Sequence, residues 1–233
     1  MLRPYIICHM TSSSDLKVTG SFLSLTECEG AIEKYYEINR NYKADAFACG
    51  RITMEESFTN GYKPDLSPFK NEKVSREDYI ADKNASFFAV SFDRYGNVGW
   101  KTSEISDEDP GYDKSHIIEV LLEDTPDENL AYYKSIGVSY IFAGKDKMDI
   151  DIALLKLKKL FNIDLLLLEG GSIINTAFNN KGVIDEISLV KADIEAEVDD
   201  KPLFERNDLS HFYLEKTIEY NGYTYLNYKK RTV

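Results

Sequence analysis

Two hydrophobic periods share this chain, and they take turns. Asp164-Leu-Leu-Leu-Leu-Glu-Gly-Gly-Ser-Ile-Ile-Asn175 shows the switch most clearly. Four consecutive leucines with nothing alternating predict a short strand buried on both faces. Gly170-Gly171 then interrupts, and Ser172 opens a helical stripe of Ile173, Ile174, Ala177 and Phe178. Before this point the pattern predicts strands over 4–10, 44–50, 85–92, 116–122 and 138–144. Helices are predicted over about 27–39, capped by Thr26, and over 127–136, stopping at Gly137. One or two helical turns follow Gly50, and a further helix starts at Asp149 or Asp151 with Ile152, Leu155, Leu157, Leu160 and Phe161 facing inward.

Beyond the central stretch, 183–190 alternates as a strand. His211 to Lys229 alternates in two segments around Asn221-Gly222, a strong hairpin signal. Thr11 to Lys17 reads as a polar loop, with a short extension at Val18–Gly20. Residues 59–84 carry Asn60-Gly61, two prolines and many charges, and read as a long irregular insertion or flap. Residues 103–115 are acidic and turn-rich. Strand and helix in alternation, closed by two alternating strands, predict an α/β fold: a mostly parallel sheet flanked by helices with an antiparallel C-terminal hairpin.

Composition narrows the function classes. At 233 residues the chain can bury a sizeable core, and a net charge of -12 argues against nucleic acid as a partner. Cys8, Cys28 and Cys49 form no Cys-x-x-Cys pair, and Cys8 and Cys49 fall in apolar runs, so reduced core thiols are expected. His9 has no neighbouring ligand-type side chain and reads as a packed core histidine. The N-terminal residues lack a signal-type apolar region and no run reaches transmembrane length, so a soluble cytoplasmic protein with no membrane partner is expected.

Candidate chemistry gathers where strands end in glycine, at Gly50, Gly144 and Gly170-Gly171, because ligands of such sheets bind beyond the carboxyl ends of the strands. Gly50-Arg51-Ile52-Thr53 adds a guanidinium and a hydroxyl, both suited to phosphate oxygens. Bare glycine amides beside a helix start suit a phosphate or pyrophosphate; the alternative is a tight turn whose glycines serve the backbone alone. There is no Walker A loop and no Gly-x-Gly-x-x-Gly.

Three segments together resemble a known family. Ala44-Asp-Ala-Phe-Ala-Cys-Gly-Arg-Ile-Thr53 is similar to the second-strand motif of the reductase domain of riboflavin biosynthesis, in the dihydrofolate-reductase-like superfamily. Leu168-Glu169-Gly170-Gly171-Ser172-Ile173 with Gly182-Val183-Ile184-Asp185-Glu186 resembles its glycine loop and following Val-Asp-Glu strand, and Ser13-Ser-Asp-Leu-Lys-Val18 its opening loop. The likeness runs from about residue 3 to about 205, and implies one reductase-like domain over 1–233. It implies NADPH as cofactor, held by Glu169, Gly170, Gly171, Ser172 and Ile173, with Gly50, Arg51, Thr53 and Gly144 at the other glycine-ended strands. Asp15 and Lys17 match the substrate-pocket positions and are the implied catalytic pair, acting on a pyrimidine or pteridine-like heterocycle. No metal site is implied, and pairing through the C-terminal strands implies a homodimer.

The chain departs from that family mostly on the substrate side. Leu16 stands where the family has glycine, and should resist a positive φ. Ser57 replaces an aspartate, Lys191–Asp200 replaces a proline-rich segment, and no zinc deaminase motif is present, so a stand-alone reductase is expected. These departures keep open a nucleotide-binding family member that has lost the reaction and serves a binding or regulatory role. A different α/β enzyme with matching glycine loops is the third alternative. NADH is not distinguished from NADPH, since no 2′-phosphate reader is identifiable.

Overall fold

The computed structural model describes residues 2–231. Its contacts divide the chain into two compact units, one of residues up to Pro4 with Asp45–Leu166, the other of Tyr5–Ala44 with Leu167 onward.

The first unit holds four parallel strands: β2 (Ala46–Gly50), β3 (Phe88–Phe92), β4 (His116–Leu121) and β5 (Ser139–Phe142), paired in that order. All their residues but Gly50 are buried, so the runs are apolar instead of alternating, as parallel strands covered on both faces require. Helix α4 (Ile150–Phe161) covers one face and sets Phe161 edge-on to Phe88 at 5.4 Å. Its N-cap is Asp149, whose carboxylate accepts from the Asp151 and Ile152 amides. The inward residues are Ile150, Ala153, Leu154, Leu157 and Phe161; Ile152, expected inside, is 39% exposed. The aspartate cap starts the helix one residue after Asp149 and thereby rotates the stripe. Helix α3 (Asp127–Ser135) places Tyr133 in the core, where its hydroxyl donates to the Val98 carbonyl at 2.9 Å.

Strand β3 begins at Phe88, three residues later than expected, because 85–87 precede the paired register. The irregular 59–84 segment is anchored at its far end. Tyr79 and Tyr140 exchange backbone hydrogen bonds of 2.9 Å, and Asp78 accepts from the Phe142 amide and from Lys156. After β2 comes a short helix, α2 (Arg51–Met54), which widens into a π-helical turn over Glu55–Thr59.

The second unit is built on β1 (Tyr5–Ser12), parallel to β7 (Glu186–Ala192); β9 (Tyr223–Lys230) and β8 (Phe212–Tyr220) add antiparallel. The hairpin turns at Asn221-Gly222 as its sequence predicts, with Gly222 at φ 85. Strand β1 takes in Thr11 and Ser12, expected in a loop, because their backbones stay in register with Val190 and Lys191. The extension at Val18–Gly20 reduces to a single bridge between Lys17 and Pro202. Helix α1 (Glu29–Tyr42) starts later than expected, a 3-10 turn over Thr26–Cys28 preceding it without a side-chain cap. It packs Ala31, Tyr35 and Ile38 with Phe22, Cys28, Val190 and Ala192. All three cysteines are free and buried.

His9 is fully buried, stacked on Tyr35 at 4.3 Å, with Nδ1 bonded to Ser188 Oγ and Nε2 to the Tyr35 carbonyl. Burial pushes its pKa down to about 4, so the ring is uncharged at neutral pH. Beside it Glu186 is held by Lys229, by Asn227 at 2.6 Å and by the Tyr42 hydroxyl at 2.8 Å. Burial alone would raise the Glu186 pKa; these three donors outweigh it and hold the group below the usual range.

The opposite case sits in the first unit. Glu119 on β4 is fully buried, accepts from the Trp100 indole through Oε1, and has no hydrogen-bond partner at Oε2 among the described residues. Burial, then the Asp93 charge, raises its pKa well above the model-compound value of 4.5. The folded protein therefore keeps a proton that the unfolded chain releases near pH 4.5, so this group's contribution falls as pH rises above that value. Glu119→Gln should lose less stability than wild type on going from mildly acidic to mildly alkaline pH. The difference should grow by up to about 1.4 kcal/mol per pH unit until the buried acid ionises. Urea unfolding at several pH values tests this; parallel pH profiles would refute it.

Candidate active site

Strand β6 (Leu165–Leu168), whose last two residues belong to the second unit, runs through Glu169 into Gly170-Gly171 of that unit, and α5 (Ser172–Lys181) begins at once with Gly171 as N-cap. No side chain caps this helix and no acidic residue lies in its first turn, so no residue of that turn offsets the positive end of its dipole. Gly170 has φ +98, and a Cβ there would stand 3.0 Å from Met10 Cε. The position therefore demands glycine for its backbone angle, while Met10 would have to give way by a few tenths of an ångström to a Cβ. Such a cradle, with an uncapped ten-residue helix behind it, fits a diphosphate.

The side chains around the loop part company with the sequence expectation. Ile173, placed in the inward stripe, is 81% exposed, whereas Asn175 is fully buried beside Phe178. Starting the helix at Ser172 puts positions 175 and 178 on one face and turns 173 outward. Asn175 went unnoticed in the sequence because its polarity masks an inward position; the three-residue spacing to Phe178 was the available signal. Glu169 is buried too, accepting from Asn39 Nδ2 at 2.6 Å. Cys8 lies near it, and burial, then the Glu169 charge, pushes the thiol pKa up, which keeps the sulfur unreactive.

Also in the second unit, Asp15 lies exposed in the loop after β1. Its carboxylate accepts from the Ser13 hydroxyl at 2.6 Å and from the Ala196 amide at 3.4 Å. The Ser13 bond foremost holds its pKa below the usual carboxylate range, so it is ionised at neutral pH. Lys17 Nζ donates to the carbonyls of Val198 and Asp200 at 3.0 and 2.8 Å. The replaced 191–200 segment is thus the partner of both residues. Leu16 between them does adopt φ 63 despite its side chain, correcting the expectation that it would resist the family's loop geometry. The bonds on either side of it, Lys17 amide to Ser13 Oγ and Leu203 amide to the Leu16 carbonyl, over-determine the turn.

In the first unit, Gly50 is the N-cap of α2, Arg51 pairs with Glu55, and Lys63 reaches the same carboxylate. Thr53 is half-buried one turn along, and Ser57 is exposed. Gly144, at φ +117, follows β5; the Lys147 carbonyl would be 2.0 Å from a Cβ there, so glycine is required by the turn itself. No group of metal-ligating side chains occurs among the described residues. A polar cleft of about 410 Å³ lies farther along α5, lined by Thr176, Asn179, Arg206 and His211 among others.

No protein-family model matches the sequence, and no curated protein does. Solved structures do. A pyrimidine reductase-like protein from Corynebacterium diphtheriae is 17% identical with a TM-score of 0.69, over 99% of this chain and 93% of that one. The dihydrofolate-reductase-like arrangement of strands expected from the sequence is therefore present. The chain shares the fold of that structure. A diaminohydroxyphosphoribosylaminopyrimidine deaminase/5-amino-6-(5-phosphoribosylamino)uracil reductase from Thermotoga maritima matches at 16% identity and TM-score 0.63, over 98% of this chain. This chain spans only 57% of that protein's length. The riboflavin biosynthesis reductase of Saccharomyces cerevisiae matches at 11% identity and TM-score 0.61, over 99% and 91%. Within this fold, the loop at Gly170 is the position where backbone geometry and helix polarity converge. Gly170→Ala should destabilise the protein by about 2 kcal/mol through its φ alone, read from the urea midpoint; an unchanged midpoint would show that the loop relaxes freely.

Proposed function

We propose that the protein is an NADPH-dependent reductase of a pyrimidine or pteridine-like heterocycle, resembling the aminouracil reductase of riboflavin biosynthesis. The observation carrying this reading is the uncapped start of α5 behind a glycine whose φ of +98 L side chains rarely adopt. Gly170, Gly171, Ser172 and Ile173 would hold the diphosphate through backbone amides, the exposed Ile173 side chain lying over the loop's outer side. Glu169, tied to Asn39, sets the direction in which the chain leaves β6. Resemblance to the family also assigns Gly50, Arg51, Thr53 and Gly144 to the cofactor.

NADPH supplies the hydride when bound, so the residues of this chain have only to bind, orient and exclude water. Asp15, ionised and fixed by Ser13, would accept a ring N–H or a ribityl hydroxyl and so orient the heterocycle. It is not itself the acid at neutral pH. Lys17 braces the 198–200 backbone that faces Asp15's loop. The same reading makes the protein cytoplasmic, with no membrane or nucleic-acid partner; no helix among the described residues is long and apolar enough to cross a membrane.

A thermal melt with NADPH, and with NADH alongside, tests the cofactor. At a hundredfold excess over the dissociation constant, binding should stabilise the native state by about 3 kcal/mol. A shift with NADPH and little with NADH is expected; no shift with either removes the reductase reading. One observation favours the alternative, a binding or regulatory protein: Lys17 Nζ is already satisfied by two carbonyls and Ser57 offers no carboxylate. NADPH oxidation with a panel of pyrimidines and pterins separates the two, since turnover of any excludes the alternative. A homodimer through the β8–β9 hairpin accompanies the reductase reading, supported by Tyr213 and Leu214, which lie exposed on β8. Light scattering on the eluted peak should give twice the 26.7 kDa chain mass, and a single-chain mass would refute pairing.

A further inference from the structure

The glycine loop rests beside an amide that the fold leaves unpaired. Asn175 has no exposed surface, and among the described residues neither its Oδ1 nor its Nδ2 has a hydrogen-bond partner. Leucine has nearly the same shape and would fill this position without stranding a donor and an acceptor. The amide is next to the loop: a Cβ on Gly170 would lie 3.8 Å from Asn175 Nδ2. Met10 packs against the same glycine, and two residues along β1, on the same face, the Ser12 hydroxyl is also fully buried and unpartnered. Among the described residues, unpaired polar atoms thus lie beside Gly170 and two residues farther along β1 from the methionine that packs on it.

With no surface of its own, Asn175 cannot touch a ligand; what it neighbours is the backbone that would. We propose that Asn175 is a positioning residue for the glycine loop. Its amide takes up hydrogen bonds with the Gly170–Gly171 peptide groups when the loop settles around an anionic diphosphate. The proposal rests on the cofactor reading above and assigns a thermodynamic role to this side chain. The free protein carries the unpaired group, and the bound protein pairs it, so its contribution appears in affinity and not in the stability of the free fold. A residue serving packing alone would show the reverse.

The test uses the full chain as wild type, Asn175→Leu and Asn175→Ala, with NADPH and ADP as probes. Calorimetric titration gives dissociation constants, and thermal melts without ligand give the midpoint of the free protein. Asn175→Leu should keep or raise that midpoint while binding both probes about tenfold more weakly, the worth of one or two buried hydrogen bonds. Asn175→Ala, which demands no extra space, should weaken binding similarly if the leucine variant folds poorly. Undiminished affinity in a folded variant overturns the proposal, as does loss of affinity that tracks a fallen midpoint in both variants. If wild type binds neither probe, the cofactor reading itself has failed; if wild type binds and the variants bind equally, only the role of Asn175 has.

Discussion

Parallel strands need their first amides satisfied at the edge where no ladder partner reaches, and in both units an aspartate does this. Asp185, just before β7, accepts the Ile6 amide at the start of β1 at 2.9 Å, while their backbones exchange a further bond. Asp45, just before β2, accepts the amides of Asp164 and Leu165 at 2.7 and 2.9 Å, where β6 starts. Each carboxylate levels two strands against one another. A slip of one residue would move every side chain of those strands to the opposite, differently shaped face, so the rest of the packing depends on these two clamps. The loops that carry Gly170, Gly50 and Asp15 are placed by strands whose starting points are set in this way.

That role accounts for the acids in two of the segments singled out in the sequence, Ala44–Thr53 and Gly182–Glu186. Asp45 and Asp185 do structural work, and Glu186 is enclosed by Lys229, Asn227 and Tyr42. A negative side chain in a motif invites a catalytic reading. Here the acids are consumed by backbone amides and buried donors, and the one left at the surface near the opening loop is Asp15.

The strands and helices were legible because their periods differ and their ends carry glycine, aspartate or Asn-Gly. The class of fold followed from their order. What escaped was rotation about a helix axis: Ile152 and Ile173 look inward by residue type and point outward, while Asn175 does the opposite. A shift of one residue in a helix start turns a face by about 100°, and the caps at Asp149 and Gly171 decided those starts. The conformation of Leu16 escaped for another reason. A leucine at φ 63 is disfavoured locally, and the hydrogen bonds around it, one of them from the Leu203 amide far along the chain, hold it there. Glu119 could not be recognised as a buried acid from the sequence of β4, since only the folded structure sets it against the Trp100 indole.

The contiguous Asp45–Leu166 segment interrupts the second unit along the chain. Strand β1 pairs with β7 across 179 residues of sequence, the separation of Ile6 from Asp185. At ordinary rates of synthesis the ribosome needs on the order of 10–35 seconds to make that stretch. Throughout it, an apolar strand that emerges early waits for a parallel neighbour that does not yet exist. The first unit, local in sequence, ends at Leu166, shortly before β7 is made. Nascent chains should therefore meet chaperones through Tyr5–Ser12, with the vulnerability ending when β7 arrives and Asp185 closes on Ile6.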